Sequence, residues 1–392
     1  MKLHNLTIEN FRSFDHFTLN HLGRVNLLVG TNNSGKTTVL EAIYLLMASR
    51  KLWSMWDVLS RRGELLSDES RVGSSSFDDI VADFRCLFHE YSLELGSKFT
   101  ISGQDDSNSF NIRASIASAA REYERVAFHP STTGDTAAAF TNFSPLFDPL
   151  LLTITSTDAI HDLGNMNITM PLDHKGGLTQ NILQQWLVKF SSGRTDHPVK
   201  YMTAASLDGP MVTSLFNDIV LTDMEDLVVD ALRGIEPRIV RIAVTGASTA
   251  GLTNLPGVSN RRGLRVRLAG VRDPVPIGSM GDGIWRMLGL ALAAVDSQNG
   301  ILLIDEIDTG LHYSVMGKMW QFLNECSQRF NVQIIATTHS RDCYQSLAEI
   351  CREGVIGPSE VTIQRIDRKR AEAVAYSEAA IIAAAEHDVE VR

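Results

Sequence analysis

The chain is poor in cysteine and proline and has no long apolar run. The four cysteines, Cys86, Cys326, Cys343 and Cys351, are spaced neither as zinc ligands nor as a disulfide framework, so a reduced, cytoplasmic setting is expected. Leu288 to Val295 and Pro149 to Ile154 are the longest apolar runs, far short of the roughly 20 residues that cross a bilayer, so no membrane span is expected. The opening "KLHNLTIENF" has no basic stretch followed by an apolar one, which argues against a secretory signal. Excess positive charge is also missing. The net charge of −10 argues against wholesale coating of nucleic acid, which needs clustered Lys and Arg, so any such surface must be local. Sustained heptads are absent, which excludes a long coiled-coil arm. What is present is ample core: 392 residues, 44% of them hydrophobic, can build one large domain or two ordinary ones.

Leu3 to Gly30 reads as two or three strands ending in the buried run "RVNLLVG". A glycine-rich turn follows, then a helix over Thr37 to Ala48 with Val39, Leu40, Ile43, Leu46 and Met47 on one face. Residues 60 to 80 read as loop and "KFTIS" as a strand. The polar segments "SGQDDSNS", "HPSTTGDT" and "SSGRTDHP" break up residues 102 to 200. "VKYMTAA" reads as a strand, and Thr222 with Glu225 forms a capping box for a helix to Arg233. After the alternating strands "RIVRIAV" and "GLRVRLAG" comes a regular block. It consists of helix Ile284 to Val295, strand Ile301 to Ile304, helix Ser314 to Arg329, strand Val332 to Thr337 and helix Cys343 to Cys351. Strands apolar throughout, alternating with amphipathic helices, predict an α/β fold with a parallel sheet covered on both faces.

Four motifs carry chemistry. "GTNNSGKT", Gly30 to Thr37, satisfies the phosphate-loop pattern between a strand and a helix. Backbone N–H groups of Asn33 to Thr37 would cradle phosphates at the helix N-terminus, Lys36 would reach the β/γ-phosphates and Thr37 would hold magnesium. In "ILLIDE", Asp305 stands at the carboxyl end of a buried strand, where it can be the second magnesium partner. Glu306 beside it can orient or deprotonate the attacking water, or be a solvated strand-end carboxylate. "GSMGDG", Gly278 to Gly283, lets backbone approach an anion at a helix start, or simply caps that helix. In "TTHS", His339 at a strand end can bond a γ-phosphate or serve structure.

The order "GTNNSGKT", "SMGDG", "ILLIDE", "DTGLH", "TTHS", with "LTIENFRSF" ahead of it, resembles the ABC-type ATPase head of SMC, RecF and OLD-family proteins. The likeness covers roughly residues 1 to 50 and 200 to 365. It implies an ABC-type head with an N-terminal mixed β lobe, a parallel-sheet P-loop core and a helical or irregular insertion between Walker A and the signature motif. In chain order these are residues 1–101 (N-terminal part of the head), 102–200 (insertion), 201–365 (C-terminal part) and 366–392 (C-terminal tail or helix). It implies ATP and Mg²⁺ as cofactors, with Gly30, Asn32, Asn33, Ser34, Gly35, Lys36, Thr37 and Thr38 as the cradle and Arg12 near the nucleotide. Ser279, Gly281 and Gly283 resemble the signature motif, which contacts the γ-phosphate bound to the opposite subunit, and Asp308 with His312 resembles the D-loop. ATP would then lie in a sandwich dimer, open to higher oligomers. The family's Q-loop glutamine has one candidate here, Gln104.

The head-only layout resembles the ATPase subunit of PARIS-type anti-phage defence systems. That likeness implies an oligomeric sensor that restrains a separate effector such as a TOPRIM-type nuclease until a phage protein or DNA appears. A RecF-like DNA repair ATPase and a scaffold with degenerate hydrolysis are the other readings. Intact Lys36, Asp305, Glu306 and His339 count against the scaffold. For the repair reading, Arg261, Arg262, Arg265, Arg267 and Arg272 cluster around "GLRVRLAG", where alternation puts Arg265 and Arg267 on one face. That stripe is as much a solvated face or interface rim as a phosphate track.

Overall fold

A computed structural model describes residues 2–48, 51–67, 80–118, 150–158, 166–172, 176–179, 199–203, 209–244, 263–357 and 360–387. Two antiparallel strands, β1 (Asn5–Phe11) and β2 (Phe14–Leu19), open the chain with Leu6, Ile8 and Phe11 turned inward. The strand β3 (Val25–Val29) is buried at every position and leads through the glycine-rich turn into helix α1 (Lys36–Met47). Next come α2 (Lys51–Arg61), β4 (Leu65–Ser67), β5 (Ile80–Asp83), β6 (Lys98–Gln104) and β7 (Ser109–Ser118). Four further strands follow: β8 (Leu150–Asp158), β9 (Met166–Pro171), β10 (Gly177–Thr179) and β11 (Val199–Met202).

Helices α3 (Gly209–Ile219) and α4 (Asp223–Arg233) precede a small antiparallel sheet of β12 (Ile239–Val244), β13 (Leu264–Leu268) and β14 (Val275–Pro276). The last block alternates regularly: α5 (Asp282–Asp296), β15 (Ile301–Ile304), α6 (Tyr313–Arg329), β16 (Gln333–Thr337) and α7 (Arg341–Arg352). It closes with β17 (Val361–Arg365), β18 (Val374–Ser377) and α8 (Glu378–Glu386). Among the described residues no helix is long and apolar enough to cross a membrane.

Two six-stranded sheets organise the molecule. One is antiparallel, in the order β2-β1-β6-β7-β8-β9. The other runs β11-β15-β16-β3-β17-β18 and is parallel except for β18. Side chains of the parallel strands alternate between two cores, as a pleat requires. Leu27, Leu302, Ile304, Ile334 and Ala336 face the core built with α4 to α7. Leu28, Ile301, Leu303 and Ile335 face the core that includes α1, α2 and the antiparallel sheet. Helix α1 therefore lies between two sheets and keeps eight of its residues buried, Thr38 to Ile43 with Leu45 and Leu46. One buried amide ties the layers at their edge: Gln333 accepts from Leu3 N and donates to the carbonyls of Leu3 and Gly23, each at 2.8 Å.

The α/β architecture and the order of the final block match the sequence reading. One stretch differs. The described residues of 102–200, expected as a helical or irregular insertion, are strands and short turns such as 105–108, and β7 to β9 widen the antiparallel sheet. The cause is alternation: Phe110, Ile112, Ala114 and Ile116 point into the core while their neighbours face out. Residues 60 to 80, read as loop, hold the end of α2 and all of β4, and residues 68–79 lie outside the described residues. The capping box of α4 is also shifted. Thr222 accepts from Met224 N, but the Glu225 carboxylate accepts from Leu221 N rather than from Thr222.

Gly35, at φ +101, adopts a conformation that L side chains avoid, and a Cβ there would sit 2.3 Å from Phe14 Cζ. Gly35→Ala should lower stability by about 2 kcal/mol or more, read as a fall in the thermal midpoint relative to the unsubstituted chain.

Candidate nucleotide site

Three parallel strands deliver the sequence motifs to one edge. β3 ends at the phosphate loop, β15 at Asp305 and Glu306, and β16 at Thr337 to His339, with β16 hydrogen-bonded between the other two. This carboxyl-end position is where open α/β sheets bind ligands. The loop needs its glycines. Gly30 has φ +150, and a Cβ on it would fall 2.5 Å from Ile366 O and 2.7 Å from Ser34 Oγ. Asn33 supplies another left-handed residue at φ +60. Lys36 curls over the loop, its Nζ donating to Gly30 O at 2.8 Å and Thr31 O at 2.9 Å. Burial lowers the Lys36 ammonium below the ordinary lysine value, and the carboxylates of Asp305 and Glu306 offset part of that.

Asp305 is the hub. Thr37 Oγ1 lies 3.2 Å from each of its oxygens, and Thr337 Oγ1 donates to Oδ1 at 2.6 Å. The same Thr337 hydroxyl accepts from Glu306 N at 2.9 Å. Glu306 itself is exposed, has φ +50, and accepts from Thr309 Oγ1 through Oε2 at 3.2 Å. These groups open onto a cavity of about 710 Å³, walled by Asn32 to Thr38, Arg12, Asp305, Glu306, Thr337 and His339.

Arg12 reaches this wall from the β1–β2 turn, at φ +51, within a buried charge cluster. Its Nη1 and Nη2 donate to the two carboxylate oxygens of Glu64 at 2.8 Å, and Nη1 also donates to Cys86 O at 3.2 Å. Nε stands 2.9 Å from Glu41 Oε2, off the line of a hydrogen bond. Glu41, on α1 and 2% exposed, is shared with Arg62, which bonds both of its oxygens. The turn His89 to Tyr91 also walls the cavity and is joined to Arg12 O by His89 Nδ1 at 2.8 Å.

Not every expected residue comes to the cavity. Ser279, Gly281, Gly283 and Asp308 do not line it. Ser279 and Gly281 are exposed just before α5, where Gly281 has φ +92, and Gly283 lies so near the loop between β15 and α6 that a Cβ on it would meet Gly310 O at 3.4 Å. Asp308 accepts from Thr338 Oγ1 at 2.7 Å, and His312 caps α6. Gln104 is not a cavity residue. It pairs with Asn5 at the opposite end of β1 from Arg12, because β6 runs antiparallel to β1.

Sequence reasoning passed over Arg62, the wall turn 89–91 and Arg286. The last had a visible signal, a single charge inside "IWRMLGLALAAV". Its guanidinium donates to Thr203 O at 3.3 Å, Asp305 O at 3.2 Å and Glu306 O at 2.8 Å.

The residues fit a nucleotide with a divalent cation. Ser34 Oγ is buried without a hydrogen-bond partner among the described residues, facing a loop of strained backbone beside an ammonium. Thr37 and Asp305 offer the hydroxyl and carboxylate oxygens that a hard cation such as Mg²⁺ takes, with water in its remaining positions.

Phosphate loop, strand-end carboxylates and parallel sheet together define a P-loop ATPase of the ABC/AAA-like kind. Residues 25–342 match the family described as "AAA domain, putative AbiEii toxin, Type IV TA system", and the chain belongs to that family. It is similar to an ATP/GTP phosphatase of Helicobacter pylori (strain ATCC 700392 / 26695), 22% identical over 375 residues, which are 90% of this chain and 89% of that protein. A shorter likeness, 50% identical over 46 residues, covers 12% of this chain and 12% of the DNA replication and repair protein RecF of Clostridioides difficile (strain 630). Among solved structures, an SMC head bound to the C-winged helix domain of ScpA aligns with 96% of this chain and 98% of its own, at 12% identity and TM-score 0.44.

Removing the shared anion of the buried cluster leaves two guanidiniums short of a partner. Glu41→Gln should destabilise the fold by about 3 kcal/mol, measured by denaturant unfolding.

Proposed function

We propose that the chain is an ATP-hydrolysing switch whose working unit is a pair of heads with nucleotide between them. The carrying observation is a separation: one glycine loop shapes the cavity, while the second, Ser279 to Gly283, stands exposed outside it. An exposed glycine loop at a helix N-terminus is an anion site without an anion source in its own chain, and a second copy's nucleotide supplies one. Asp308, beside that loop, would face the same partner.

Within a head, the loop amides and Lys36 would hold the β/γ-phosphates, and Thr37 with Asp305 would hold Mg²⁺. The cation supplies charge neutralisation on the phosphates. Glu306 would orient the attacking water and accept its proton, and His339 on the rim would bond the γ-phosphate. Arg12 and the turn 89–91 also bound the cavity, and the nucleoside would lie against them.

In the cell the switch would report assembly to a separate effector. The family description, with its toxin–antitoxin wording, supports a partnership of this kind, and restraint of a toxic nuclease such as a TOPRIM protein until a phage protein or DNA arrives is the form we favour. A RecF-like role on DNA is the second reading. Arg265 and Arg267 do share the exposed face of β13, and Arg241 stands directly opposite Arg267, although Arg241 is paired with Glu225 at 3.0 Å, so Arg265 and Arg267 are the charges a phosphate strand would meet.

Lys36→Ala should weaken nucleotide binding at least about tenfold, as expected for a lost charged hydrogen bond; unchanged affinity in a fluorescent-nucleotide titration would remove the loop from the site. Glu306→Gln should bind ATP normally, lose about 100-fold in turnover and accumulate an ATP-bound dimer. A monomer by light scattering at saturating ATP would overturn the paired-head reading.

A further inference from the structure

Helix α5 begins at the exposed Gly281 and turns inward within one turn, since Ile284 to Val295 are all buried. Arg286 sits in that buried stretch, 4% exposed, among Leu, Met, Trp and Ala. Burial pushes its guanidinium down to about 10, with Asp308, Asp305 and Glu306 pulling it up, so it remains a cation at neutral pH. Among the described residues its hydrogen bonds go to the backbone carbonyls of Thr203, Asp305 and Glu306, and its Nε has no hydrogen-bond partner. A leucine or methionine would fill this space without desolvating a charge. The position of the charge is therefore what needs explaining.

The carbonyls it holds are those of Asp305 and Glu306. Glu306 is a non-glycine residue at φ +50, a conformation that costs on the order of 1 kcal/mol and persists only where neighbours enforce it. Two neighbours do so from opposite sides. Thr337 holds the Glu306 N–H from β16, and Arg286 holds its carbonyl from α5. The Ser279 to Gly283 loop runs directly into the start of α5, so the helix that would meet a second copy is the helix that grips the peptide of the water-orienting carboxylate.

We propose that Arg286 is a positioning residue: it carries the docking of a second copy's nucleotide on the Ser279–Gly283 loop to the orientation of Glu306, so that hydrolysis follows pairing. The inference rests on the paired-head reading. Seating a phosphate on the loop shifts the start of α5, and Arg286 passes that shift to the Glu306 backbone. No reacting atom touches Arg286.

The experiment compares Arg286→Met and Arg286→Lys with the unsubstituted chain and with Glu306→Gln. Nucleotide affinity, thermal midpoint, ATP-dependent dimer formation, KM, and kcat as a function of protein concentration are measured for each. The expected result for Arg286→Met is ATP affinity, KM and dimer formation within about threefold of the unsubstituted chain, with kcat down about 100-fold and no longer rising with protein concentration. Arg286→Lys, which keeps the charge but not the span of the guanidinium, should recover part of kcat. The proposal is overturned if Arg286→Met turns over at the normal rate with the normal concentration dependence. It is overturned equally if binding, dimer formation and kcat fall together with the thermal midpoint in both variants, which marks a packing role. Failure of Glu306→Gln to dimerise instead indicts the paired-head reading itself.

Discussion

Helix α1 lies between two sheets with eight of its twelve residues buried and none fully exposed, and most of what is unusual in this molecule follows from that. Because it lies between two sheets, its one acidic residue, Glu41, is buried whichever way it turns. An isolated carboxylate there would be costly, so Arg12 arrives from the antiparallel sheet and Arg62 from the end of α2. Glu64 completes the cluster by taking up the remaining face of Arg12. The charges that line the inner wall of the cavity are thus recruited first by a helix that had to be neutralised, and the wall is as rigid as the packing around α1.

The same burial fixes the strand ends. With α1 held against β3, β15 and β16, Thr37 in its first turn meets the carboxylate at the end of β15, and Thr337 meets it from β16. Asp305 joins three elements that are distant in sequence, and Glu306 inherits its backbone position from that junction. Helix α5 approaches from the other face of the parallel sheet and closes on the same peptide through Arg286. The site is gripped from both cores.

The sequence was most legible where a single periodicity ruled. Ile301 to Ile304, apolar at every position, lies between two amphipathic helices and could be little else than a buried parallel strand, and the phosphate loop follows from its spacing alone. The middle of the chain was harder because β7 to β9 alternate apolar residues with Ser, Thr, Asn and Arg, and polar turns interrupt the pattern. Strand β17 has its parallel partner β3 more than 300 residues earlier, a pairing that no local pattern encodes. In the site, the phosphate-loop residues, Asp305, Glu306 and His339 share one cavity while Ser279, Gly281, Gly283 and Asp308 stand outside it, and Arg62 and the wall turn 89–91 reach the cavity through tertiary position and carry no motif. Arg286 carried a signal that was passed over, a cation in an apolar helix, and only the carbonyls around it show what it holds.

Phe14 offers a last lesson. Its ring stacks on Phe17 at 4.4 Å between centroids and occupies the space where any side chain at position 35 would go. The phosphate loop is therefore cast against a form supplied by a different sheet, and its eight-residue sequence does not contain its own shape. Transplanting those residues into another α/β scaffold would move the letters without the mould, and selection on this loop is in effect selection on the aromatic pair behind it.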